Sequence, residues 1–271
     1  YLGARLAAAA LTSFDAQANL RSAATLGRLL HRFDHRHRER AKRSIAMAFP
    51  DWSPQRVDDV CLRSFEHVAM LGVELMHTPR TLGPHTWTRH IGIRKLGAGI
   101  DLLNRREPMI MITGHIGNWE VMGSVLASLG YDLDALARPI DNPLVDRWLM
   151  GIRQRRGMRI ITKFDATDRM VRVLDDGGAL AFIADQNAGD KGLFVPFFNR
   201  LASCYKSIGL LALNKRVPIV CGCGQRLPGS LKFEVDLTDV IRPEESEAHD
   251  DPLFYITARY SRALENMISR Q

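Results

Sequence analysis

From residue 108 onward, short apolar runs alternate with segments whose apolar residues recur at helical spacing, and few folds accept that alternation. PMIMIT (Pro108 to Thr113), LDALA (Leu133 to Ala137), MRII (Met158 to Ile161) and ALAFIA (Ala179 to Ala184) read as strands. LFVPFF, VPIVCGC and LKFEVDL continue the series from Leu193, Val217 and Leu231. Between them lie helical stretches from Glu120 to Gly130, from Asn142 to Arg156, around Met170, Val173 and Leu174, from about Ser207, and from Pro252 to Ser269. Short strands that are apolar throughout need cover on both faces. Strands interleaved with helices supply that cover, so the predicted class is α/β, a mostly parallel sheet covered by helices.

The first 80 residues differ, because they read as helical throughout. Ser53 fits an N-cap, Pro54 the first helical position, and Val57, Val60, Cys61, Phe65, Val68 and Leu71 form a core-facing stripe. Pro79 is expected to end that helix. Two regions follow, an N-terminal helical, basic, membrane-associated segment over 1–80 and an α/β core over 81–271, within one structural domain overall. Of the net charge of +7, nine Lys/Arg against three Asp/Glu between Tyr1 and Arg43 account for six. HRFDHRHRERAKR, His31 to Arg43, is the densest stretch. Such a cluster suits anionic lipid headgroups or nucleic acid, or is simply a solvated helix face. LGARLAAAAL, Leu2 to Leu11, is broken by Arg5, and no run reaches the roughly 18 apolar residues of a spanning helix. A helix lying in the interface is the membrane-bound alternative to an ordinary docking helix. The chain opens on Tyr1 rather than methionine, which leaves room for upstream residues, a spanning helix included.

With 46% apolar residues in 271, the chain can bury a full core. Cys61, Cys204, Cys221 and Cys223 form no C-x-x-C pair and read as small buried side chains in a reducing compartment. The acidic stretch from Glu244 to Asp251 is expected as a solvated loop.

In open α/β sheets, ligands gather at the carboxyl ends of the strands. Thr113-Gly114-His115, Ala137-Arg138-Pro139 and Ala184-Asp185-Gln186 all stand there. In GHIGNWE, His115 leaves a strand, Gly117 permits a tight turn and Glu120 falls in the first turn of the next helix. The corner can bring the carboxylate onto the imidazole, making His115 a general base and Glu120 its orienting partner. The competing reading is a structural histidine held by local hydrogen bonds. Free N–H groups at the opening of that helix suit an oxyanion or a phosphate. No G-x-S-x-G elbow, H-E-x-x-H or P-loop is present, and the glycine pairs Gly97/Gly99 and Gly222/Gly224 lack the third glycine of a dinucleotide fingerprint. Direct attack by an acceptor hydroxyl is then the economical mechanism. Arg138, at a strand end, is the arginine whose position favours anion binding. Arg147, Arg155 and Arg156 read individually as a solvated helix face. Asp185 is equally suited to orienting an arginine or acceptor and to capping a turn.

Together these segments resemble the lipid A late acyltransferases of the lauroyl/myristoyl type, a branch of the lysophospholipid acyltransferase superfamily. TGHIGNWE is similar to that family's H-x-x-x-x-E block. RPIDNPLVDR from Arg138, with Arg153 and Gly157 after it, resembles the second block, and ADQ with GLFVPFF the third. VPIV from Val217 and AFPDWS near Pro50 fit the remaining pattern. The resemblance implies a glycerol-3-phosphate acyltransferase-like fold and a peripheral or N-terminally anchored enzyme on the cytoplasmic face of the bacterial inner membrane. It implies an acyl-carrier-protein or coenzyme A thioester as donor, with no cofactor and no metal. Carried over, His115 and Glu120 are catalytic, and Asn118, Arg138, Arg153 and Asp185 are substrate-binding. Asn199, where the family has glycine, and Lys206-Ser207, in place of a small glycine-containing step, depart from the pattern. A sister branch acylating mannosylated phosphatidylinositol shares the first block, so lipid A is the leading acceptor among glycolipids and phospholipids.

Three other classes remain. A thioesterase or esterase would use His115 on water. A non-catalytic membrane adaptor has no need of both His115 and Glu120. A nucleic-acid-binding module would interleave aromatics with the cationic patch, where residues 31–43 offer only Phe33, so no nucleic acid is expected.

Overall fold

The computed structural model describes residue 9 and residues 13–83, 85–95, 97–154, 157–162, 166–228 and 230–270. The Leu2–Leu11 stretch, apart from Ala9, lies outside them. The chain divides into two compact units after Arg80, with residues 198–200 and 228–231 grouping with the first.

The first unit holds α1 (Ala16–Phe33), α2 (His35–Ala48) and all but the last residue of α3 (Pro54–Thr81). Asp15 caps α1 by accepting from Ala18 N, and Asp34 caps α2 by accepting from His37 N. Asp34 thereby breaks the basic run into two helices. Ser53 accepts from Arg56 N at the start of α3, as its sequence suggests. Pro79 does not stop α3, which continues to Thr81. A Cβ on Gly27 would overlap the backbone of Glu66, so α1 and α3 meet there main chain to main chain. Nearby, burial pushes His77 below the usual imidazole range, and its Nε2 lies 3.1 Å from Asn19 Nδ2. The neutral ring accepts that bond.

Leu26, Leu29, Leu30 and Phe33 stand exposed at helical spacing on α1. Arg21, Arg32, Arg36, Arg40 and Arg43 are exposed too, and none forms an ion pair with a described residue. No helix among the described residues is long and apolar enough to cross a membrane.

The second unit carries the sheet. In chain order come β1 (Ile91–Ile93), α4 (Gly97–Asn104), β2 (Met109–Thr113), α5 (Trp119–Ser128), β3 (Leu133–Leu136), α6 (Pro143–Gln154), β4 (Arg159–Ile161), α7 (Ala166–Asp175) and β5 (Ala179–Ile183). β6 (Leu193–Phe197), β7 (Arg200–Cys204), α8 (Lys206–Lys215), β8 (Ile219–Arg226), β9 (Phe233–Ile241), α9 (Pro243–Glu247) and α10 (Pro252–Ser269) follow. Seven strands order as β1-β9-β8-β2-β5-β3-β4, parallel except for the β8/β9 pair. The expected mostly parallel, helix-covered sheet is present. LFVPFF is not part of it, because β6 pairs with β7 in a separate ribbon. The acidic stretch is not all loop either. Pro243 starts a short helix whose Glu245 meets Arg259 of α10, and that guanidinium holds the Glu245 carboxyl below the usual range.

The side chains of alternate strand residues separate into two layers. Ile110, Ile112, Leu180, Phe182 and Ile219 pack with α8 and α10 through Ile208, Tyr260, Leu264 and Met267. Met109, Leu133, Ala179 and Ile160 pack on the other face with Leu126 of α5 and Leu102 of α4. All four cysteines are buried and free, and burial pushes the Cys223 thiol up to about 11.

Candidate active site

β2 lies between β8 and β5, and its register with β5 pairs Thr113 with Ile183. Two residues further along each strand stand His115 and Asp185. The register therefore brings them together above the carboxyl edge of the sheet. Asp185 grips His115 at two points: its Oδ2 accepts from the His115 backbone N at 2.7 Å, and its Oδ1 lies 2.7 Å from Nδ1. An ionised carboxylate only accepts, so Nδ1 carries the proton and Nε2 is left as the basic nitrogen. The imidazole is 38% exposed, and Nε2 makes no hydrogen bond to a described residue, so it is available to an incoming hydroxyl. Trp119 stands edge-on against the ring, with centroids 4.7 Å apart.

Glu120 does not take the place expected of it. Its carboxylate faces Arg153 of α6 and binds it as a fork, with Nη2 2.5 Å from Oε1 and Nε 3.0 Å from Oε2. Both side chains are largely buried. The reason is local. Trp119 comes first in α5 and takes the position beside the imidazole, while Glu120, one residue on, turns toward α6. Asp185 supplies the carboxylate that the sequence assigned to Glu120.

Asn118 is not at the surface as a substrate-binding residue requires. It is fully buried, and its Oδ1 caps α5 by accepting from Val121 N. Its backbone N donates to Gly224 O at 2.7 Å. Two of the N–H groups expected for an oxyanion are thus already used. Gly117 makes this corner possible. At a φ of +57° a side chain is strained, and a Cβ there would overlap the Gly224 carbonyl. Arg138 is exposed, with no ion pair to a described residue, and Arg147 is likewise exposed. Arg155 and Arg156 lie outside the described residues. Among the described residues, no group of three or more His, Cys, Asp or Glu is placed to hold a metal.

Below the His115–Asp185 pair a cavity runs between the sheet and α5, with about 620 Å³ of empty space, its mouth included. Thr113, Ile183, Trp119 and the Glu120–Arg153 pair surround the mouth, and deeper residues are apolar. Its origin lies in the strands. On the face toward α5, Ala135 of β3, Ala137 just after it and Ala181 of β5 are too small to reach the helix. Met111, Ala181 and Ala135 pair across three adjacent strands, and all three are only half-buried in the middle of the sheet. Sequence reading missed this cavity, although alanines at alternate positions in LDALA and ALAFIA are its trace.

The model of the bacterial lipid A biosynthesis acyltransferase family matches residues 4–271. Lipid A biosynthesis acyltransferase 1 of Shigella flexneri is 24% identical over 202 residues, covering 73% of this chain and 61% of that protein. Lipid A biosynthesis myristoyltransferase of Escherichia coli K12 is 23% identical over the same shares. A lipid A biosynthesis acyltransferase of Haemophilus influenzae is 24% identical, covering 68% of this chain and 58% of its own length. The chain spans about 61% of the first of these relatives. A family match over nearly all of the sequence settles membership: the chain belongs to the bacterial lipid A biosynthesis acyltransferases.

Proposed function

We propose that this protein moves a fatty acyl group from a thioester, on acyl carrier protein or coenzyme A, to a hydroxyl of a lipid A precursor. One observation carries the reading: an imidazole fixed by a carboxylate stands two residues beyond Thr113 and Ile183, which line an apolar cavity. The acyl chain occupies the cavity and leaves its thioester carbonyl near His115. His115 Nε2 takes the acceptor's proton as the oxygen attacks that carbonyl. Asp185 stabilises the imidazolium that forms. The tetrahedral intermediate collapses, the C–S bond breaks, and the imidazolium returns the proton to the departing sulfur.

Arg153, neutralised by Glu120, forms one wall of the mouth and positions the donor. Arg138, exposed and without an ion pair to a described residue, is suited to a phosphate of the acceptor. The arginines of α1 and α2 favour anionic lipid, and the Leu26, Leu29, Leu30 and Phe33 stripe favours insertion at its surface. Both fit work at the cytoplasmic face of the bacterial inner membrane.

Transfer of label from acyl-carrier protein or acyl-CoA into lipid A precursors, by wild type and by His115→Ala, tests the reaction. Labelled lipid with wild type alone is the expected result. Free fatty acid as the sole product identifies a hydrolase, and equal transfer by His115→Ala removes the base. Sedimentation with vesicles containing anionic lipid, lost with neutral lipid, tests the membrane partner.

A further inference from the structure

We infer that Met158 and Leu133 form the stop of the apolar cavity, that Gly123 keeps its lower half open, and that these residues set the length of the acyl chain accepted. The inference rests on the acyltransferase reading for its ligand but on the strand register for its geometry. Rows of side chains cross the sheet at successive depths. The mouth row contains Thr113 and Ile183, and the next row down contains Met111, Ala181, Ala135 and Ile160. The third contains Met109, Ala179 and Leu133, and the β3/β4 register continues it to Met158, because Asp134 pairs with Arg159.

Leu133 and Met158 of that third row line the cavity, but Met109 and Ala179 do not. The empty space therefore stops where Leu133 and Met158 close it, and both are buried. Four residues of strand separate the mouth row from this floor, a depth of about 13 Å.

The roof follows the same descent. Glu120, Gly123 and Leu126 of α5 line the cavity at three-residue steps, from mouth to floor. A Cβ added to Gly123 would sit 3.0 Å from Met158 Sδ and 3.9 Å from Leu133 Cδ2. Gly123 is therefore directly over the stop, and any side chain there takes space from the lower channel. Met158 is the opposite kind of element. Its unbranched thioether adapts to what lies beneath α5, and truncating it extends the channel. The two positions should shift selectivity in opposite directions.

The test pairs Met158→Ala with Gly123→Val and uses two readouts on each. One is kcat/KM across a series of saturated acyl-carrier-protein donors of increasing length. The other is displacement of a fluorescent fatty acid by free fatty acids of the same lengths, which needs no turnover. Met158→Ala should raise the preference for longer chains over the wild-type optimum by about 10-fold or more, and Gly123→Val should favour shorter chains by a similar factor. An unchanged length profile for Met158→Ala in both readouts overturns the inference, whatever becomes of the helix in Gly123→Val. Shifted displacement profiles with no acyl transfer by wild type support the chain-length stop and sink the reaction instead.

Discussion

The two faces of the central sheet are built from the same strands but do opposite work. Toward α8 and α10, the strands present Ile110, Ile112, Leu180, Phe182 and Ile219, which fill the space to the helices. Toward α5, β3 and β5 present alanine at the middle row, and the space stays empty. Filled space gives stability, because each apolar side chain removed from water adds to the folded state. Empty apolar space forgoes that gain and leaves room for a ligand. The site stands at the upper end of the empty face. Substitutions on one face should therefore change turnover, and on the other should change stability.

The largest separation is expected at the site itself. His115→Ala should lower acyl transfer by about 10²–10⁴. Asp185→Asn should fall within the same range, since it removes the group that fixes the tautomer and balances the imidazolium. His115→Ala should move the melting temperature by no more than a degree or two, because the imidazole is 38% exposed and stands edge-on against Trp119. A large loss of stability in His115→Ala would mean that the corner is structural first.

Arg153→Ala tests the boundary between the two kinds of residue. It leaves Glu120 buried without its partner, at a cost of about 3–5 kcal/mol in denaturant unfolding. Replacing both members by apolar residues should recover most of that stability but not the transfer rate. On the filled face, Leu264→Ala should cost about 2–5 kcal/mol through the cavity it creates, with kcat/KM of the folded fraction unchanged. A change in chain-length preference there would break the division between the faces.

The alternation of strands and helices was legible because burial on both faces leaves a continuous apolar run. Strand order was not legible, and it decides the site. His115 and Asp185 are 70 residues apart, and only the adjacency of β2 and β5 makes them partners. From sequence, the nearest carboxylate with a suitable offset was Glu120, and local spacing led to the wrong pairing. Asn118 shows the same limit, since its polarity serves a helix cap rather than a ligand. LFVPFF is apolar enough for the main sheet, yet its partner is the β7 hairpin strand. What depends on one element was readable, and what depends on two distant ones was not.

The smallest expected effect gives the sharpest view of the empty face. Ala181 is at the centre of the middle row, paired with Met111 on one side and Ala135 on the other. It lines the cavity and is half-buried although it lies in the middle of the sheet. Ala181→Leu places a larger side chain where no protein atom now stands, so it should stabilise the fold by about 0.5–2 kcal/mol, as cavity-filling substitutions do. The same side chain blocks the route from the mouth row to Leu133 and Met158. Urea unfolding and fatty-acid displacement on one preparation measure both consequences. A gain in stability with loss of fatty-acid binding means that this face gives up stability to keep room for a ligand. A loss of stability would mean that the space is already occupied by the packing of α5, and the contrast between the two faces would fail at its centre.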